Sequence, residues 1–218
     1  MLLNSIGVCR VVVEEVDFYN LSAEIIVKYL PGKDCGNCGY ASCLEFARAL
    51  SEGKTSVKDC PEMAMRMSES LAGALSIKLE VHEADATMST VSEKMIELNS
   101  PSEDSPVLIT GNSGVTIEVL KLIFSKTPGA SAYLVPTETK GFTIDHTAGM
   151  KLVTPMTVMR GLTNSAVAMK VNHHKLIIPG LCAGIEKQLE QITRWTVEVG
   201  PISGFELPAF IINSMENR

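Results

Sequence analysis

No apolar run in the 218 residues approaches the ~18–20 needed to cross a membrane, so no membrane span is expected. The opening stretch MLLNSIGVCRVVVEEVD lacks a basic start, a long apolar middle and a small-residue cleavage site. It does not read as a secretory leader. An excess of basic charge is missing too: 19 Lys and Arg stand against 25 Asp and Glu, a formal balance of −6. Nucleic acid demands a positive face, so it is excluded as a partner class. No G-x-G-x-x-G follows the first strand-like stretch of the second half, which weakens the case for a nicotinamide cofactor. The setting expected from these absences is cytoplasmic and reducing. There, clustered cysteines more often bind metal than form disulfides.

What is present is an ordinary globular composition, 45% hydrophobic and 20% charged, enough for a packed core. Its length fits one large domain or two small ones. Four of the six cysteines fall in LPGKDCGNCGYASCLEFARALSEGKTSVKDCP, residues 30–61. Cys35, Cys38, Cys43 and Cys60 have the spacing C-x2-C-x4-C-x16-C, three of them within nine residues. Gly36 and Gly39 let the backbone turn tightly enough for those three sulfurs to converge. Four thiolates with no nearby histidine suit a [4Fe–4S] cluster or a structural zinc site. Zinc ribbons pair two C-x2-C knuckles, so the spacing leans toward the cluster. Cys9 and Cys182 stand alone and read as small buried hydrophobes.

Hydrophobic periodicity divides the chain. LSAEIIVKYL has helical spacing, with Asn20 or Ser22 as a cap and Pro31-Gly32 as its end. A second helical stretch, SCLEFARALSEG, lies between Cys43 and Cys60. Residues 62–99 shift to Met, Ala, Ser and Glu and read as one or two helices. Met88, Val91, Met95 and Leu98 fall at a/d-like intervals, better explained by a helix packed on its own domain than by a dimer seam. NSPSEDSP is a polar, proline-bearing linker. Beyond it, strand-like PVLIT, SAYLVPT, KLIIP and TVEVG alternate with helical GVTIEVLKLIFSK, TPMTVMRGLTNSAV, AGIEKQLEQIT and ELPAFIINSM. Short continuous apolar strands between amphipathic helices indicate a parallel sheet covered on both faces.

The cysteine segment closely resembles the [4Fe–4S] module of the large (gamma) subunit of the corrinoid iron–sulfur protein of the acetyl-CoA pathway. A similar module occurs in the B subunit of Rnf-type electron-transport complexes. The likeness rests on C-G-x-C-G-Y-x-x-C, then Phe46-Ala47, Ala49, Gly53 and Cys60-Pro61. It implies that Cys35, Cys38, Cys43 and Cys60 ligate the cluster. VNHHKLIIPGLCAGIEKQLEQITRWTVEVGPISGFELPAF, residues 171–210, is similar to the cobamide-binding domain of the same subunit, and SPVLITGNSGVTIEVLKLIF to that domain's opening strand and helix. The fold class expected is therefore α/β. A small, mostly helical [4Fe–4S] module spans 1–61, a helical linker 62–104, and a Rossmann/flavodoxin-like parallel-sheet domain that binds cobamide 105–218.

In a parallel α/β sheet, ligands lie at the carboxyl ends of strands. Four loops sit there, and each carries candidate cofactor-binding residues. They are Thr110, Gly111, Asn112 and Ser113, with Thr116 one turn on; Thr139 and Gly141; Pro179, Gly180, Leu181 and Ala183; and Gly200 and Pro201. Their small side chains, amides and hydroxyls, and two helix N-termini, would suit a cobamide's phosphate and amides. Short βα loops without a ligand account for the same residues.

Many cobalamin domains supply a lower axial ligand from D-x-H-x-x-G. Here IDHTAG places His146 one position off that pattern, and His173 and His174 precede the KLIIP strand. The resemblance implies a base-off cobamide with no protein histidine on cobalt. It further implies a methyl-carrying cobalt re-reduced from cobalt(II) to cobalt(I) by the cluster. Its partners would be a reductant such as ferredoxin and a methyltransferase or TIM-barrel subunit covering the corrinoid. The family's large subunit carries a TIM barrel between its end domains. A barrel takes ~200–250 residues, more than the linker here provides. The competing function is a low-potential electron-transfer subunit whose α/β domain only docks. No residue reads as a general acid or base, so the chain is expected to be a carrier more than an enzyme.

Overall fold

The computed structural model describes residues 20–79, 89–144 and 152–216. Its centre is a five-stranded sheet in the order β1-β3-β2-β4-β5. The strands are β1 (Ile96–Leu98), β2 (Val107–Gly111), β3 (Ala132–Thr137), β4 (Lys175–Ile178) and β5 (Thr196–Val199). β2 pairs in parallel with β3 and β4, and β4 with β5, while β1 adds an antiparallel edge to β3. The four parallel strands thus follow the flavodoxin-like order, whose switch point lies between β2 and β4. All five residues of β2 are buried, which is why VLITG is apolar without alternation.

Side-chain alternation along these strands builds two cores. Leu108, Leu134 and Ile177 face one side, while Val107, Ile109, Val135, Leu176 and Ile178 face the other. The second face is covered by α5 (Pro155–Ser165) and α6 (Glu186–Thr193). Thr154 caps α5 by accepting from Thr157 N at 3.2 Å, and Pro155 takes the first helical position, where its missing N–H costs nothing. The first face is covered by α4 (Gly114–Lys126), whose Ile117, Leu120, Ile123 and Phe124 point inward, and by α7 (Leu207–Glu216).

That first core does not stop at the α/β domain. Leu21, Ile26, Tyr29, Leu30, Phe46 and Leu50 belong to it, with Met67 and Leu71 of α3 (Met65–Leu75). α3 packs on both α4 and α7. The approach is close: a Cβ on Gly73 would fall 2.0 Å from the Lys126 carbonyl oxygen. The cysteine segment contributes α1 (Ala23–Ile26) and α2 (Cys43–Ser51) to the same layer. α1 tightens into a 3-10 turn over Val27–Tyr29, and Leu30 is extended, as a residue before proline must be.

The stretch after α3 departs from the helical expectation. Val91 and Met95 lie outside any helix, and Leu98 is buried in β1; Met88 lies outside the described residues. Ile96-Glu97-Leu98 alternates inward and outward, a period too short in extent to separate from an a/d interval. Pairing with β3 decides it. Asn99 then donates through Nδ2 to the carbonyls of Phe124 (2.7 Å), Thr127 (3.2 Å) and Ala130 (2.7 Å). It thereby ties the end of β1 to the turn after α4, adding a donor to the Phe124 and Thr127 carbonyls that already accept from Thr127 N and Ala130 N. No helix among the described residues is long and apolar enough to cross a membrane.

Candidate functional site

The four predicted ligands meet around one cavity. Cys35, Cys38, Cys43 and Cys60 line it with Leu30, Tyr40 and Phe46. The turn that brings them there is built locally. Gly36 and Gly39 adopt φ of 73° and 85°, open to glycine at no steric cost, and Gly39 N donates to Gly36 O at 2.9 Å. Asp34, also left-handed at φ 45°, accepts from Cys43 N through Oδ1 at 2.6 Å. Ser42 caps α2 by accepting from Glu45 N at 3.2 Å, so Cys43 opens the helix. Tyr40 and Phe46 close the inner wall with ring centroids 5.5 Å apart.

Cys35 is exposed, while Cys38, Cys43 and Cys60 are half-buried against the first core. Burial raises the Cys60 thiol above its ordinary pKa, and the thiols of Cys38, Cys43 and Cys35 push it the same way. Like charges therefore gather here as the thiols ionise, and a cation would relieve them. Lys33 sits beside them, its Nζ 2.5 Å from Glu62 Oε2. Among the described residues no three such side chains converge tightly enough to share one metal ion; these four ring a cavity instead. A cluster takes one thiolate at each of its irons, so a ring is the arrangement it asks for.

The second site is an open, mostly apolar cleft between the sheet, α4 and the turn at 204–207. Leu108–Thr110 of β2 and Ile177–Pro179 at the end of β4 line it. These are the carboxyl ends at the switch point, where open α/β sheets bind ligands. Of the predicted cobamide residues, Thr110, Thr116, Pro179, Leu181 and Pro201 reach the cleft.

The others are near but turned to structural bonds. Asn112 Oδ1 accepts from Thr139 N (3.0 Å) and Gly141 N (3.1 Å), and Asn112 N donates to Thr139 Oγ1 at 3.2 Å. Gly111 packs under the same hydroxyl, since a Cβ there would lie 2.8 Å from Thr139 Oγ1. Gly180 approaches Gly200 and Pro201, its N–H donating to Pro201 O at 3.0 Å, and a Cβ would sit 2.8 Å from Gly200 O. Ser113 is buried at the start of α4, and Ala183 is exposed. The helix N-termini are likewise engaged: Gly114 N donates to Ser89 O at 2.8 Å, and Glu186 Oε2 accepts from Gly184 N at 2.7 Å.

Sequence reasoning missed most of the wall. Val115, Val119 and Leu120 of α4, with Ile202, Phe205 and Leu207, make the cleft apolar. The available signal was α4 itself, whose apolar stripe is wider than one buried face requires. Cys182 is buried, and burial pushes its thiol up to about 11. Cys9 and His146 lie outside the described residues. His173 and His174 stand at the amino end of β4, away from the cleft; His173 Nε2 is 3.0 Å from Ser105 O, and His174 meets Trp195 edge-on.

Known proteins match both sites. A family model described as CO dehydrogenase/acetyl-CoA synthase delta subunit matches residues 65–211. The chain belongs to this family. A second model, described as an Fe-S cluster, matches residues 30–62 and so contains all four cysteines. The acetyl-CoA decarbonylase/synthase complex subunit gamma of Archaeoglobus fulgidus is 25% identical over 137 residues, 63% of this chain and 29% of that protein. Subunit gamma 2 of Methanosarcina thermophila is 31% identical over 139 residues, 60% and 30% of the two chains. The corrinoid/iron-sulfur protein large subunit of Moorella thermoacetica is 29% identical over 120 residues, 55% and 27%. Family membership and these relatives bear out the resemblance seen in the residues. The chain spans less than a third of the length of the curated relatives it matches.

Proposed function

We propose that the chain is a corrinoid iron–sulfur protein, with a [4Fe–4S] cluster in the cysteine cavity and a base-off cobamide in the switch-point cleft. The observation that carries the reading is the coincidence of the cleft with the carboxyl ends of β2 and β4, on a chain that also rings four cysteines around one cavity. The relatives named for corrinoid and iron–sulfur support both cofactors. The units that divide this work are the cluster module over 1–61, the linker over 62–104 and the cobamide domain over 105–218.

A bound cobamide would supply cobalt-based methyl-carrying chemistry. A bound low-potential cluster would supply the one-electron reducing power that keeps it active. The chain's residues bind, orient and shield. Cys35, Cys38, Cys43 and Cys60 hold the cluster; Asp34 fixes the backbone at Cys43, and Lys33 sets a positive charge beside it. Aliphatic side chains from β2, β4 and α4 give a macrocycle a dry floor, and Thr110 and Thr116 supply hydroxyls at its edge. Among the described residues the cleft is lined by no carboxylate, histidine, lysine or cysteine, which supports a carrier role. The open mouth suits coverage by a methyltransferase or barrel subunit, and a ferredoxin-like donor would reload the cluster in an anaerobic cytoplasm.

The test is anaerobic purification followed by metal analysis and an absorption spectrum with added hydroxocobalamin. About four irons per chain and one retained cobalt with a base-off spectrum are expected. Four irons with no retained cobalamin would make the chain an electron-transfer subunit.

A further inference from the structure

Tyr29 and Glu206, far apart in the sequence, meet inside the first core. They are 8% and 7% exposed, and Tyr29 Oη donates to Glu206 Oε1 at 2.8 Å. Lys28 Nζ reaches the same oxygen at 3.4 Å from a solvated position. Burial, reinforced by Glu206, holds the Tyr29 phenol far above the usual range, so it stays a donor. Each partner borders one of the two sites. Leu30, the residue after Tyr29, lines the cysteine cavity. Gly204, Phe205 and Leu207, around Glu206, line the cleft.

The core between the sites is continuous. Leu108, Leu120 and Phe205 form cleft wall and core at once, and Cys38, Cys43 and Cys60 pack against that same core. A buried carboxyl in such a place is costly, and an apolar side chain of equal size would often stabilise more. What a buried polar pair adds is a single register between the surfaces it joins.

We propose that Tyr29 and Glu206 are a positioning pair that locks the cysteine-bearing layer to the lip of the cleft, fixing the path between the two sites. This rests on the function proposed above. In the step concerned, one electron leaves the reduced cluster, and cobalt(II) in the cleft gains it and becomes cobalt(I). An added one-electron chemical reductant then reloads the cluster. Electron tunnelling weakens exponentially with distance, so a loosened register slows transfer without weakening either site.

The full chain is loaded with cluster and cob(II)alamin, mixed with reductant, and followed by absorbance for cobalt(I), with the cluster-free Cys43→Ala chain as background. Tyr29→Phe is expected to keep iron content and cobalamin Kd while slowing cobalt(I) formation roughly tenfold or more. Glu206→Met, which removes the acceptor, should behave alike; Glu206→Gln, which keeps an accepting oxygen, should remain near wild type. An unchanged rate in Tyr29→Phe, or a rate that falls only in step with iron content or cobalamin affinity, overturns the pairing role. If the chain retains no cobalamin, the function proposed above fails, and amide hydrogen exchange tests the pair alone. Tyr29→Phe should then raise exchange at residues 23–29 and 204–206 together while β2 stays protected; unchanged protection overturns the proposal.

Discussion

The cysteine cavity and the switch-point cleft are built in opposite ways. The cavity is local: three of its four thiols come from nine consecutive residues, turned by Gly36, Gly39 and Asp34. The cleft is assembled from β2, α4, β4 and the turns after β4 and β5, nearly a hundred residues of chain. The cavity gathers polar, ionisable groups whose mutual repulsion a bound cation relieves. The cleft gathers aliphatic groups, and the polar residues beside it bond to one another. A site of the first kind is specified by spacing, whereas one of the second kind is specified by the fold.

The two sites nevertheless share a core, and the largest expected effect would abolish the distinction. Phe46 is fully buried at the wall of the cysteine cavity and belongs to the shared core, so Phe46→Ala should cost about 3–5 kcal/mol. Chemical denaturation is expected to show that loss, with iron content and cleft binding falling together. Cys43→Ala should sharpen the contrast instead. Iron should drop from about four per chain to near zero while hydroxocobalamin binding persists. Thr116→Trp is the converse change. Thr116 is only half-buried at the cleft wall, so filling the cleft there should weaken cobalamin binding at least about tenfold, roughly 1.4 kcal/mol, with iron unchanged.

Smaller effects separate the supports of each region. Asn99→Ala removes the side-chain donor to the Ala130 carbonyl, while the Phe124 and Thr127 carbonyls keep the backbone donors Thr127 N and Ala130 N. It should cost about 1–3 kcal/mol, whereas the exposed pair Lys33–Glu62 should contribute little. Cys182 gives the mildest signal. Its thiol is raised in the folded state to about 11 from about 9, so its contribution is intact below pH 9. It is lost as pH climbs toward 11, because the unfolded chain releases that proton first. A Cys182→Ala chain should show a shallower fall in stability across that window.

What could be read in the residues follows the same division. The four cysteines, the strands of the parallel sheet and helices α2 and α4 were legible because spacing and periodicity are local properties. β1 was not, because Ile96-Glu97-Leu98 becomes a strand only by pairing with β3. The cleft was legible in position, through the carboxyl-end rule, but not in chemistry. Asn112, Thr139 and Gly141 look in sequence like donors for a ligand, yet their groups are spent on one another. Val119 and Leu207 look like ordinary core and instead form the wall. Polarity in a loop reports the presence of hydrogen bonds and says nothing of their direction.

The exposure of Cys35 bears on how such a site is made. One corner of the cavity faces solvent while the other three are backed by the core. Iron and sulfide would reach such a site through that corner. The same open corner admits oxygen, so the route of loading and the vulnerability of the finished centre have a common structural origin.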